Sequence, residues 1–298
     1  ESTEQLMETL EPHLKDIIHK FINKSKSKKF DGIRGKEFTV QWGKNNKIES
    51  GHMNIWVTSP EGWQNLLYLH NEGARKSTSR KVTISLNSLK EHSKGLIFGS
   101  ACIGGLLAQQ LLHYGEEAAL KWLDDLATAL RSQGSTIMLE VMPHPEVRIP
   151  PGEGHNGLSQ AELNRFLIDA GRKLRLNVIA TTDSHYNRPE DKEIKMQAMA
   201  MAYHDKNIIS PNSDYFLGNS YYFMTKSEII EALSIGEEAI GVMPDEVGNI
   251  VHVSYLFASK MASLDFRLPK AFTPMNIDPG IDFDFEVWAG WNFLKMTK

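Results

Sequence analysis

Cysteine is almost absent from this chain, with a single residue, Cys102, in 298. One cysteine excludes an internal disulfide framework and fits a reducing compartment, so its contribution comes through packing or thiolate chemistry. Long apolar runs are missing as well. No stretch approaches the roughly 20 residues that cross a bilayer, and no secretory leader pattern is visible, so the expectation is a cytoplasmic protein with no membrane partner. Charge of one sign is also lacking: 33 Lys and Arg stand against 37 Asp and Glu, a net charge of -4. That excludes a protein wrapping nucleic acid with its whole surface, while leaving room for a local basic groove. There is no internal repeat. What is present is apolar material, 41% of residues, enough for one large or two modest cores.

Strand-like and helix-like patterns alternate along the chain, which predicts an α/β domain with an at least partly parallel sheet or barrel. Behind Pro12, Leu14, Ile17, Ile18 and Phe21 recur at helical spacing over residues 12–23. The lysines at 24, 26, 28 and 29 then suit a solvated helix end. Residues 37–41 and 52–58 read as strands. Ser59 and Pro60 suit the N-cap and first position of a helix reaching Leu69, followed by a polar loop to about Arg80. A short buried strand over 95–102 ends in the cysteine, and Gly104 and Gly105 permit a sharp turn. A helix over 116–133 places Leu123, Leu126, Ala127 and Leu130 on one face and Gly134 at its stop, before a strand over 136–141. Ser159 with Glu162, and Thr225 with Glu228, have capping-box spacing. A helical region over 236–258 precedes a proline-punctuated end that reads as a linker.

The most informative segment is Asn177-Val178-Ile179-Ala180-Thr181-Thr182-Asp183-Ser184-His185-Tyr186, an apolar run ending in Asp-x-His. Residues two apart on a strand share a face, so Asp183 and His185 are expected to point the same way just beyond the strand. A carboxylate and an imidazole so placed suit a zinc, manganese or iron site; a turn with a capping Asp is the alternative.

Several stretches in order resemble the PHP domain of bacterial C-family replicative polymerases, the DNA polymerase III alpha type. They are Gly35-Lys36-Glu37, the His52-led strand, Gly62-Trp63-Gln64-Asn65-Leu66, the Gly95 to Gly105 strand and turn with Ala101 where glycine is usual, Leu139-Glu140, and Ala180 to Tyr186 with Thr182 in place of asparagine. Residues 222–233 and Leu268-Pro269-Lys270 resemble the segments leaving that domain toward the polymerase core. The resemblance implies a distorted (β/α)7 barrel that binds up to three Zn2+ or Mn2+ ions at the carboxyl ends of its strands. It puts Glu37, His52, Cys102, Asp183 and His185 on ligand positions, with His13 and His144 as further candidates. The implied activities are structural support of a nucleotidyltransferase and metal-dependent 3′-5′ exonuclease or phosphoesterase chemistry on DNA. A metal-free scaffold and a stand-alone phosphoesterase are the alternatives.

The family's opening His-x-His strand and its following acidic ligand are not matched here, so the barrel is expected to be incomplete at its N-terminus. The expected explanations are a fragment or split gene, a separate chain supplying the missing strand, or a decayed domain kept for structure. The implied setting is a bacterial or phage-infected cytoplasm, with DNA and other parts of a replicative polymerase as partners. The expected organisation is an N-terminal helix and basic connection over 1–30, a PHP-like domain over 31–235, and a helical connection over 236–298. Asp278 to Phe285 reads as the acidic entry to a helix over 287–296 rather than as polymerase palm aspartates.

Overall fold

Two long strands come first among the described residues. In the computed structural model, residues 35–44, 47–76, 83–144, 146–204, 206–209, 219–234 and 244–264 are described. Strand β1 (Gly35–Lys44) pairs antiparallel with β2 (Lys47–Val57), in register from Gly35 opposite Trp56 to Lys44 opposite Lys47. The period of two predicted for residues 52–58 is visible in burial. Met53, Ile55 and Val57 are buried, while His52, Asn54 and Trp56 on the other face are only partly so.

Helix α1 (Pro60–Lys76) follows, its first turn capped by Ser59 Oγ, which accepts from Gly62 N at 3.1 Å. The chain then forms β3 (Thr83–Ser85), α2 (Leu86–Glu91), β4 (Leu96–Gly99), α3 (Leu106–Ser132) and β5 (Thr136–Val141). A small ribbon of β6 (Arg148–Ile149) and β7 (Leu158–Ser159) leads into α4 (Gln160–Leu174) and β8 (Val178–Ala180). Helices α5 (Lys192–Tyr203), α6 (Lys226–Ser234) and α7 (Pro244–Ala262) complete the described elements.

The main sheet has the order β3-β1-β2-β4-β5-β8. Strand β2 runs against both its neighbours, whereas β1 with β3, β4 with β5, and β5 with β8 are parallel. The expected α/β class with a partly parallel sheet holds. Among the described strands the sheet is open rather than a closed barrel. The reversed direction of β2 has a local consequence: its middle, carrying His52, lies beside the carboxyl end of β4, with Asn54 opposite Gly99 and His52 bridged to Gly105.

The core holds Met53, Ile55, Leu96, Phe98, Leu106, Leu123, Leu126 and Leu139, each 1% exposed or less. Each such side chain stabilises the fold by about 1.5–3 kcal/mol through its removal from water. Helix α7 closes the β8 edge. Its Ser254 Oγ accepts from Ala180 N at 2.7 Å, and Phe257 meets Trp56 edge to face at 5.1 Å.

Both predicted capping boxes form. Ser159 and Glu162 exchange side-chain and backbone bonds, and Thr225 and Glu228 do the same. Two expectations need correction, and two others hold as far as the described residues reach. Helix α3 is broken at Gly115, whose φ of 78° and ψ of 175° are non-helical, and the segment after the break, 116–132, is the helix expected over 116–133. Strand β3 and helix α2 fall in a stretch to which no element was assigned, being three and six residues long and too short for a periodic signal. Of the helical region expected over 236–258, the part from Pro244 is helical, and residues 235–243 lie outside the described residues. Strand β8 ends at Ala180, so Asp183 and His185 sit in a turn and strand alternation does not orient them. The elements expected over 12–23 and 287–296, and the lysines at 24–29, lie outside the described residues.

Candidate metal centre at the carboxyl ends of the strands

The chain leaves β4 through a turn that is pinned at each step. Ser100 N donates to Met138 O at 3.1 Å, and Ser100 Oγ accepts from Glu140 N at 2.8 Å. Ala101 then adopts a left-handed backbone, φ 58°, which costs an L-residue about 1–2 kcal/mol. This strain explains why glycine suits that position. Cys102 follows, and Gly105 N closes the turn onto Cys102 O at 2.7 Å. A side chain at Gly105 would bring Cβ to 2.3 Å from Ser100 O, so the turn admits only glycine there. His52 joins from β2, its N–H donating to Gly104 O at 3.0 Å. A Cβ placed on Gly104 would stand 3.7 Å from both Cys102 Sγ and His52 Nδ1, so thiol and imidazole flank one methyl-sized space.

From β5 comes Glu140, 1% exposed. Its Oε1 accepts from Ala101 N at 2.8 Å, and Asn54 Nδ2 donates to both carboxylate oxygens at 3.0 Å. Burial raises its pKa to about 7; the Ala101 and Asn54 hydrogen bonds work against that rise, and the Asp183 carboxylate adds to it. Beyond β5, His144 is 2% exposed and stacks on Tyr221 with ring centroids 4.1 Å apart. Its Nδ1 lies 2.9 Å from Ser220 Oγ, and its Nε2 is buried without a well-formed hydrogen bond. Burial lowers its pKa to about 4, which keeps the ring neutral.

The turn after β8 supplies the other pair. Asp183 has φ 41°, a left-handed conformation that Asp tolerates better than most residues. Burial raises its pKa, opposed by the nearby His185 and His52. His185 Nδ1 sits 2.6 Å from the Asp183 carbonyl oxygen. A carbonyl only accepts, so Nδ1 carries the proton and Nε2 presents its lone pair outward, the tautomer a metal-ligating histidine needs. Backbone N–H of His185 donates to Tyr221 O at 2.8 Å, and the two rings meet edge to face at 5.5 Å. Burial, with Asp183 and Cys102 nearby, pushes the Tyr221 phenol well above its ordinary range, so it stays protonated.

Of the five residues on implied ligand positions, His52, Cys102, Asp183 and His185 gather at this end of the sheet. Glu37 is placed by its backbone in β1, opposite Asn54. His13 lies outside the described residues, and His144 is buried behind Tyr221. The donors are associated in pairs. Among the described residues no three His, Cys, Asp or Glu side chains form a group that could hold a metal ion. The donor set nonetheless fits a zinc- or manganese-class ion in kind, with a thiol, two imidazoles of which one has its tautomer fixed, and a desolvated carboxylate.

Sequence reasoning missed Glu140, Asn54, Ser220 and Tyr221 as parts of this site. Glu140 had a local signal, being the one charged residue in the otherwise apolar strand Thr136–Val141. Tyr221 had none, since it reaches the site from 36 residues beyond His185.

The PHP domain family profile matches residues 15–144. This chain contains a PHP domain. The match spans β1 to β5 with both His52 and Cys102, and the Asp183 turn joins them through the pairing of β8 with β5. The chain is similar to the DNA polymerase III subunit alpha of Deinococcus radiodurans, 27% identical over 191 residues, covering 62% of this chain and 13% of that protein. It is likewise similar to the PolC-type DNA polymerase III of Clostridium perfringens, 26% identical over 195 residues, 65% of this chain and 12% of that one. For the Thermus aquaticus alpha subunit the identity is 26% over 206 residues, 67% of this chain and 15% of that protein. The aligned part of this chain therefore spans about an eighth of the length of these relatives. Among the described residues no helix is long and apolar enough to cross a membrane.

Proposed function

We propose that this PHP domain serves a C-family replicative DNA polymerase, and that it holds a Zn2+- or Mn2+-class ion at the sheet's carboxyl end for hydrolysis at a DNA 3′ end. The observation that carries this reading is the gathering of His52, Cys102, Asp183 and His185, from three separate segments, around one end of the sheet. These four, with Glu37 from β1, would be the ligands. An ion bound there supplies Lewis acidity toward a phosphodiester and a lowered pKa for water. Around it, hydrogen bonding and burial set what the chain's own groups present. His185 offers Nε2, the Tyr221 phenol remains protonated beside Asp183, and His144 stays neutral behind it. Partners in this reading are DNA and the remainder of the polymerase, in a bacterial or phage-infected cytoplasm.

A metal-free scaffold supporting the polymerase is the second reading, favoured by the pairwise arrangement of the donors. Incubating the full chain with a 5′-labelled primer–template and Mn2+ separates the two. Shortening of the primer from its 3′ end that disappears in Asp183→Asn supports the nuclease. Equal or absent shortening in both proteins favours the scaffold.

A further inference from the structure

Glu140 connects the two segments that carry Cys102 and His52. Its carboxylate is almost wholly buried and receives three hydrogen bonds, from Ala101 N at 2.8 Å and from Asn54 Nδ2 at 3.0 Å to each oxygen. Ala101 directly precedes Cys102 and is held at φ 58°, a conformation that reverts unless neighbouring contacts enforce it. Asn54 lies two residues from His52 on the same face of β2. The carboxylate reaches both because Gly99 has no side chain; a Cβ there would come to 2.2 Å from Glu140 Oε1 and 2.6 Å from the Trp56 ring. Backbone ties from Ser100 to Met138 and Glu140 explain why β4 ends where it does. They do not explain a carboxyl group in a strand whose other buried residues, Ile137, Met138, Leu139 and Val141, are all apolar.

We infer that Glu140 is a positioning residue whose carboxylate clamps the Ala101 turn to Asn54 and so sets Cys102 against His52. The inference rests on the metal-pocket reading for its purpose, but the clamp itself is a property of the folded chain. Glutamine at 140 retains Oε1 as acceptor for Ala101 N and for one Asn54 bond, but sets an amide N–H2 against the other Asn54 bond, which halves the β2 side of the clamp and opposes donor to donor. Exchanging the partners, with Asp at 54 and Gln at 140, restores donor to acceptor.

The test compares full-length wild type, Glu140→Gln, Asn54→Ala and the Asn54→Asp/Glu140→Gln pair, each checked for folding by circular dichroism. In chelator, the rate of Cys102 with an aromatic disulfide reagent is expected to rise about tenfold in Glu140→Gln and Asn54→Ala, the weight of one hydrogen bond. It returns to within about twofold of wild type in the exchanged pair. In parallel, Co2+ titration reads the thiolate-to-cobalt absorption band, expected in wild type and the exchanged pair and weakened in the single variants. Unchanged thiol reactivity in the folded single variants, or no restoration in the exchanged pair, overturns the clamp. Absence of the cobalt band in wild type defeats the metal reading alone, since thiol reactivity still decides the clamp. Asn54→Ala keeps the test open if glutamine at 140 prevents folding.

Discussion

Replacing Glu140 by Gln is expected to change the pH dependence of stability, because two buried groups at this site titrate in opposite senses over the same range. Glu140 has its pKa raised from 4.5 to about 7, chiefly by burial. Between these values the folded chain keeps a proton that the unfolded chain has released, so stability falls as pH rises, by about 3 kcal/mol in all. His144 has its pKa lowered from 6.5 to about 4, again chiefly by burial. Between those values the unfolded chain binds a proton that the folded chain refuses, so stability rises with pH by about the same 3 kcal/mol. With 1% and 2% exposure, neither group is screened by solvent. In wild type the two slopes nearly cancel between pH 4.5 and 6.5. Glu140→Gln removes the falling one and leaves a steep rise. The assay is urea unfolding in chelator at pH 4.5, 5.5 and 6.5, comparing the change in stability across the series, so a uniform loss from the altered hydrogen bonds does not matter. Parallel profiles for wild type and variant would refute the reasoning, by showing that Glu140 is ionised in the fold across this range.

Two further predictions concern the frame that positions the site. In Gly62→Ala the new Cβ would lie 1.8 Å from Gly95 O and 2.4 Å from its carbonyl carbon, backbone that already accepts from Thr58 N and Thr58 Oγ1 at 2.9 Å. Alanine's helix preference returns about 1 kcal/mol, but overpacking and disturbed hydrogen bonds cost about 3–5 kcal/mol, so the urea midpoint falls. Ser159→Ala removes the acceptor for Glu162 N and half of the α4 capping box, and is expected to cost about 1 kcal/mol in the same assay.

Local signals made much of the frame legible. Alternation over 52–58 gave β2 and its buried face, paired Ser/Thr and Glu spacing gave both capping boxes, and Gly134 marked the helix stop before β5. The residues that were not legible depend on tertiary contact. Nothing within β2 states that it runs against its neighbours, yet that reversal brings His52 beside the β4 end. Strand β3 is stabilised by pairing with β1 rather than by any period of its own. The helix start at 116, by contrast, was legible because Gly115, at φ 78° and ψ 175°, ends the preceding helical segment. Asp183 and His185 were found by type and spacing, while their orientation comes from a left-handed residue and a backbone hydrogen bond. Glu140 stood out as a charge in an apolar strand, but its partners Asn54 and Ala101 are 86 and 39 residues away.

The central claim is that His52, Cys102, Asp183 and His185 constitute a metal pocket. Its most direct test is the metal content of the full chain, purified without chelator, measured by plasma mass spectrometry alongside Cys102→Ser and Asp183→Asn. The account predicts about one equivalent or more of zinc or manganese per wild-type chain, falling sharply in both variants while each retains its fold. A folded wild-type chain with no bound metal after incubation with Zn2+ and Mn2+, or the same metal content in all three proteins, would contradict it.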